Sequence, residues 1–104
     1  MFVRVAGTGE LWSGEMMPCS AGGRRLLLVK LDEAIYAYED RCAHLGIPLS
    51  QGKLAGRVLT CRAHEWQYDI ATGRGINPAR ARLVRFPVRI DGSDILVDME
   101  GRLS

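Results

Sequence analysis

Two short cysteine-histidine pairs limit what this chain can become more than any other feature: Cys42-Ala43-His44, then sixteen residues, then Cys61-Arg62-Ala63-His64. Each arm offers one thiolate and one imidazole, so the fold has to bring two distant loops to one place. A zinc finger of the two-Cys, two-His kind sets both cysteines on one arm and both histidines on the other, with wider gaps inside each pair. Mixed arms suit a binuclear centre instead, gripped by a loop on either side. The surroundings agree, because glycine and proline (Gly46, Pro48, Gly52, Gly56, Gly73, Gly75, Pro78) break up the pattern from Asp40 to Arg80. A long irregular stretch of this kind inside a compact domain is usually functional. With only three cysteines a fully paired disulfide framework cannot form, and in a reducing compartment such residues are metal ligands or buried thiols.

Outside that insert the chain reads as short strands separated by turn signals, with no amphipathic helix of useful length. Phe2 to Ala6 is a first strand, and Gly9 to Trp12 a single helical turn in which Trp12 packs inward. Gly22-Gly23 turns the chain into Leu26 to Leu31, and Asp32-Glu33 is a hairpin tip before Ile35 to Tyr38. Val84, Phe86, Val88 and Ile90 alternate with Arg85, Pro87 and Arg89, the period-two mark of a strand with one buried face, in which Pro87 signals an edge or a bulge. Asp91-Gly92-Ser93 leads into Ile95 to Met99 and closes a C-terminal hairpin. Val58 to Thr60 and Trp66 to Ile70 are short strands inside the insert. The fold class is all-β: an antiparallel sandwich of residues 1–104 forming one domain, with a loop-rich binding subdomain over about 40–80. A chain of 104 residues buries roughly 65% of its unfolded surface, a modest core that a metal centre reinforces.

Charge and hydropathy exclude several functions. Fourteen basic against twelve acidic side chains give a net charge of +2 without a basic run, which does not describe a nucleic-acid binder. The start, Met1-Phe2-Val3-Arg4-Val5, lacks the basic and apolar regions of a secretory signal, and the longest aliphatic run, Leu26 to Val29, is far below the roughly 20 residues that span a bilayer. A cytoplasmic protein without membrane contacts is expected.

Cys-x-His, a spacer, then Cys-x-x-His resembles the signature of Rieske proteins, whose [2Fe-2S] cluster has two histidines in place of two cysteines on one iron. Cys42 to Gly46 resembles the first cluster loop of that family, and Tyr68-Asp69 stands where an aromatic-acid pair is common. Val58 to Trp66, Gly73-Arg74-Gly75-Ile76-Asn77-Pro78 and Phe86-Pro87-Val88 are similar, more narrowly, to the ferredoxins of toluene, benzene and alkene monooxygenases. The resemblance implies one [2Fe-2S] cluster held by Cys42, His44, Cys61 and His64. It also implies a monomeric one-electron carrier, itself no enzyme, between an NADH-dependent flavin or iron-sulfur reductase and the di-iron hydroxylase of an aromatic or alkene monooxygenase. The ferredoxin of a ring-hydroxylating dioxygenase is the alternative within this class. A structural zinc module that mediates protein contacts is the alternative outside it.

Two departures from the respiratory members of the family are informative. Their disulfide between cluster loops has no counterpart, since Ile47 and Ala63 occupy the corresponding places, and Trp66 stands where they have a serine that donates to the cluster. The missing donor implies a potential in the lower part of the Rieske range of about −150 to +300 mV. Two thiolates neutralise an oxidised core that four would leave doubly negative, so an electron is accepted more readily than by a plant-type cluster, and it settles on the histidine-bound iron. Among the other residues, Tyr68 is a donor to a cluster sulfur or ordinary core, Trp66 a docking aromatic or core, and Cys19 an idle thiol. Leu45 to Pro48 is an apolar segment beside a ligand. Arg41, Lys53, Arg57, Arg62 and Arg74 are solvated charges that can steer an acidic partner.

Overall fold

The computed structural model describes residues 1–43, 46–63 and 65–101. Among these, three antiparallel sheets carry the architecture. The first contains β1 (Phe2–Gly7), β10 (Val88–Asp91) and β11 (Asp94–Asp98), the second β2 (Met16–Ala21), β3 (Arg24–Leu31), β4 (Ala34–Glu39) and β9 (Arg85–Phe86), and the third β5 (Lys53–Ala55), β6 (Val58–Thr60), β7 (Gln67–Asp69) and β8 (Arg74–Asn77). Their orders are β1-β11-β10, β2-β3-β4-β9 and β5-β6-β7-β8. No helix of the described residues is long and apolar enough to cross a membrane.

The second sheet is the middle of the molecule. Side chains alternate along a strand, so Leu26 and Leu28 point to one face and Leu27 and Val29 to the other. All four are buried. Leu26 and Leu28 join Ala6, Ile95 and Val97 of the first sheet, with Ala37 and Phe86, in one core. Leu27, Val29 and Tyr38 join Leu49, Leu59, Tyr68, Ile70, Leu83 and the two cysteines Cys42 and Cys61 in another. The aliphatic run therefore faces a core on both sides, and each buried side chain contributes about 2 kcal/mol. Tyr38 locks the middle sheet to the third: its hydroxyl, buried on β4, donates to the Ile70 carbonyl.

Turns set the strand pairing. Ala21 pairs with Arg24 across Gly22-Gly23, whose φ angles of 58° and 77° suit the two-residue hairpin that links β2 to β3. Leu31 pairs with Ala34 across Asp32-Glu33, as the turn signals require. β8 packs against its own following loop, where the Gly75 N–H donates to the Ala81 carbonyl at 2.7 Å. A Cβ at Gly75 would lie 2.2 Å from the Pro78 carbonyl oxygen, so no other residue fits there without displacing backbone.

Four sequence expectations are corrected. The helical turn near the N-terminus covers Thr8–Glu10, and Trp12 lies beyond it with 72% of its surface exposed instead of packed inward. Residues 84 to 90 are not one strand: Pro87 has no N–H to give a ladder, and the chain leaves β9 in the second sheet to begin β10 in the first. β2 and β5 form from sequence that carries no strand alternation, and β8 from a glycine-containing stretch expected to be loop. The rest of the all-β reading stands, with β6 over the expected residues and β7 one residue shorter at each end.

Candidate metal centre

The first cysteine loop leaves the end of β4. Asp40, buried, closes it: its carboxylate accepts the Ser50 N–H at 2.9 Å and the Ser50 hydroxyl at 2.8 Å. Inside that clasp the Cys42 N–H donates to the Ile47 carbonyl at 2.8 Å and the Gly46 N–H returns to the Cys42 carbonyl at 3.0 Å. These bonds leave Cys42 no freedom to swing away. The second loop is the tip of the β6-β7 hairpin, where Leu59 pairs with Tyr68 and Thr60 with Gln67. It is closed by the Cys61 N–H donating to the Trp66 carbonyl at 2.6 Å, and Glu65 within it takes a left-handed φ of 53°. Arg62 on this tip donates to the Gln51 side-chain oxygen at 2.9 Å, which ties the two loops together.

The two thiols meet at the base of these loops. Cys42 and Cys61 are each 1% exposed, form no disulfide, and hydrogen-bond to one another. Burial, and then the bond with Cys42, push the Cys61 thiol up to about 11, against a smaller pull from the Ala63 N–H. Left alone, the Cys61 thiol therefore stays protonated at neutral pH. Two thiols drawn together with no disulfide, in surroundings that oppose bare thiolate, are a donor set that a cationic centre satisfies.

Tyr68 completes the floor. Its hydroxyl lies 3.4 Å from the Cys42 sulfur and accepts the Ala43 N–H at 3.2 Å. With one lone pair committed to Ala43, its proton is available to the sulfur. Burial raises the Tyr68 hydroxyl's pKa further, so it keeps that proton. The neighbouring Asp69 points the opposite way, as strand alternation dictates, and takes both arms of Arg57 at 2.9 and 2.8 Å. The pair expected as one aromatic-acid feature is thus split between the metal centre and the far end of the third sheet.

His44, Leu45 and His64 lie outside the described residues. The structure brings Cys42 and Cys61 together and sets the Tyr68 hydroxyl against the Cys42 sulfur, where it donates once that sulfur is a thiolate. Trp66 is half-buried against the core that contains both cysteines, with the Arg80 guanidinium 5.8 Å from its ring centre. Gly46, Ile47 and Pro48 are half-buried, and Cys19 is half-buried at the edge of the other core. Of the five steering cations, all are exposed, but Arg57 is bound to Asp69 and Arg62 to Gln51, so these two are structural. Sequence reading passed over Asp40 and Ser50; the available signal was an acidic residue directly after a strand and a serine one turn before the insert's first short strand.

The model of the Rieske [2Fe-2S] domain family matches residues 1–87. The chain belongs to the Rieske family. It carries one [2Fe-2S] cluster, which removes the zinc module from consideration. This Rieske chain is 39% identical over 100 residues to the ferredoxin component of the alkene monooxygenase system of Xanthobacter autotrophicus (strain ATCC BAA-1158 / Py2), covering 95% of this chain and 82% of that one. It is 30% identical over 91 residues to the ferredoxin component of the naphthalene 1,2-dioxygenase system of Pseudomonas aeruginosa, covering 86% and 88%. In structure it is similar to a chain of the solved complex of reduced oxygenase and oxidized ferredoxin in carbazole 1,9a-dioxygenase. The TM-score is 0.88 at 26% identity, covering 99% of this chain and 97% of that one. The relatives of this Rieske protein are electron-transfer components of oxygenase systems.

Proposed function

We propose that this Rieske protein shuttles single electrons from an NADH-dependent reductase to the di-iron hydroxylase of an aromatic or alkene monooxygenase. Its residues form one domain in which a subdomain of about 40–80 holds the cluster through Cys42, His44, Cys61 and His64. The observation that carries the reading is the meeting of Cys42 and Cys61: two buried thiols, delivered by two separate loops in a chain that is 39% identical, over nearly its whole length, to an alkene monooxygenase ferredoxin. The cluster supplies a site that accepts and releases one electron without bond making. The protein's own residues hold the two sulfurs fixed by the Ile47 and Trp66 carbonyl bonds, exclude water by burial, and aim the Tyr68 proton at Cys42. That rigidity keeps reorganisation small when the charge changes.

Likeness to the naphthalene dioxygenase ferredoxin supports a second reading, in which the acceptor is a ring-hydroxylating oxygenase. One experiment separates them. The purified, dithionite-reduced protein is mixed with each oxygenase and reductase pair encoded in the same organism, and product is followed. Turnover with a di-iron hydroxylase and none with a ring-hydroxylating oxygenase is expected. The reverse result selects the second reading, and turnover with neither sinks both.

A further inference from the structure

From Ile70 to Ile90 the chain contains Arg74, Arg80, Arg82, Arg85 and Arg89 and no acidic residue. The fold gathers four of these on one flank of the cluster-binding half, while Arg89 departs to the first sheet and sits 4.9 Å over the Phe2 ring. Arg74 and Arg82 are directly opposite one another in an antiparallel bridge. Like charges so placed destabilise a sheet, which makes the arrangement costly if it serves folding alone. Asp69, opposite Arg74 on β7, is engaged by Arg57, and among the described residues none of the five arginines takes part in a salt bridge.

Arg74, Arg82 and Arg85 line an open cleft of about 520 Å³ together with Ile76, an apolar side chain 47% exposed. The cleft's one carboxylate, Asp69, is already bound by Arg57, and Arg85 lies 5.1 Å over the Tyr36 ring, which leaves Arg74 and Arg82 as the exposed guanidiniums of the cleft with no ion pair among the described residues. At its upper end the row reaches Arg80, whose guanidinium lies over the Trp66 ring, and the Trp66 carbonyl receives the Cys61 N–H. The row therefore begins at the metal centre and runs down one side of the molecule. Its cations are all arginine, the residue whose planar fork binds carboxylates bidentately and which is enriched at binding hot spots.

We infer that the Arg74, Arg80, Arg82 and Arg85 flank is a docking surface for an acidic patch on the oxygenase component. The inference rests on the electron-carrier reading above. An oxygenase is the occupant because a chain of this fold, matched over 97% of its length, comes from a solved complex with one. Carboxylates laid along the row relieve the Arg74-Arg82 repulsion and hold the cluster loops against the acceptor.

The test is stopped-flow electron transfer from the reduced holoprotein to its oxygenase, at low and high ionic strength. Wild type is compared with Arg74→Glu/Arg82→Glu, with the conservative Arg74→Lys/Arg82→Lys, and with Arg89→Glu as a reversal on another sheet. The double reversal should slow the second-order rate at least tenfold at low salt, with the gap closing at high salt. The lysine pair should retain most of the rate, and Arg89→Glu should stay within about threefold of wild type. Reduction potential and EPR spectrum should be unchanged in all variants. A double reversal no slower than Arg89→Glu, or slowed equally at every salt concentration, overturns the docking surface while leaving the carrier reading intact. Slowing confined to the reductase half-reaction also overturns it. A wild-type protein that reduces no oxygenase overturns the carrier reading and the surface with it.

Discussion

Replacing Tyr68 by phenylalanine removes one oxygen from the floor of the metal centre and should lower its reduction potential. When Cys42 holds the cluster its sulfur is a thiolate that only accepts, so the Tyr68 hydroxyl, 3.4 Å away and already receiving the Ala43 N–H, is the donor. A hydrogen bond to a charged acceptor is worth about 1.5–3 kcal/mol, and the length of this one places it at the low end. Reduction adds one negative charge spread over the whole centre, so about half of the bond's worth, roughly 0.7–1 kcal/mol, discriminates between the two redox states. For a one-electron couple a tenfold change, about 1.4 kcal/mol, is 59 mV, and the expected shift is therefore about 30–40 mV downward. Protein-film voltammetry or an EPR-monitored titration reads it directly. Tyr38→Phe is the control, since it deletes an equally buried hydroxyl that donates to the Ile70 carbonyl and not to a cysteine. Both variants should lose about 1 kcal/mol of stability, and only Tyr68→Phe should move the potential. Equal shifts in the two, or a Tyr68→Phe potential within about 10 mV of wild type, would refute the donor assignment.

Three further outcomes are expected. Gly75→Ala forces a Cβ to within 2.2 Å of the Pro78 oxygen and should cost about 3 kcal/mol or more in urea unfolding; a loss below 1 kcal/mol would show that the loop yields. Asp69 is held below the usual carboxylate range, chiefly by its hydrogen bond from Arg57. Its contribution is therefore complete above the unfolded value near 4 and is lost as pH falls through the lower folded value. Asp69→Asn should then destabilise by about 1 kcal/mol at pH 7 with the gap narrowing as pH falls below the unfolded value near 4, and a gap independent of pH would be evidence against the pair. Stripping iron with a chelator should raise amide exchange in residues 41–48 and 61–66, because burial opposes thiolate there without a cation, and leave β3 protected; uniform exposure of both would mean that the sheets depend on the cluster.

Legibility in the sequence followed local pattern. Hairpin tips at Asp32-Glu33 and at Asp91 to Ser93 were readable because their residue types favour turns, and β3, β4 and β11 because they are apolar or alternating. The cysteine loops were readable from spacing alone. What escaped was decided by tertiary partners. Pro87 signalled an interruption, but only the presence of two sheets converts it into a crossing from one to the other. β2, with methionines, a proline and a cysteine, and β8, with its glycine, pair because neighbouring strands offer open edges. Trp12 looked like core by residue type, a weak guide for a side chain in a turn. Arg57 and Arg74 looked alike in sequence, and although the register sets Arg74 opposite Asp69, it is Arg57 whose guanidinium takes both carboxylate oxygens, a choice that only the folded geometry reveals.

The Leu26 to Val29 run, buried on both faces, has a consequence for how pairing errors are avoided. A strand with one wet face resists a one-residue slip because slipping would drown its apolar side chains. β3 lacks that safeguard, since exchanging Leu27 and Val29 for Leu26 and Leu28 would present either core with similar groups. Fidelity of alignment is thereby delegated to the hairpin ends, above all to Gly22-Gly23, two exposed residues whose added side chains would meet nothing within 4 Å but would be forced into a left-handed backbone. A surface position that touches nothing thus acts as the ruler for two interiors.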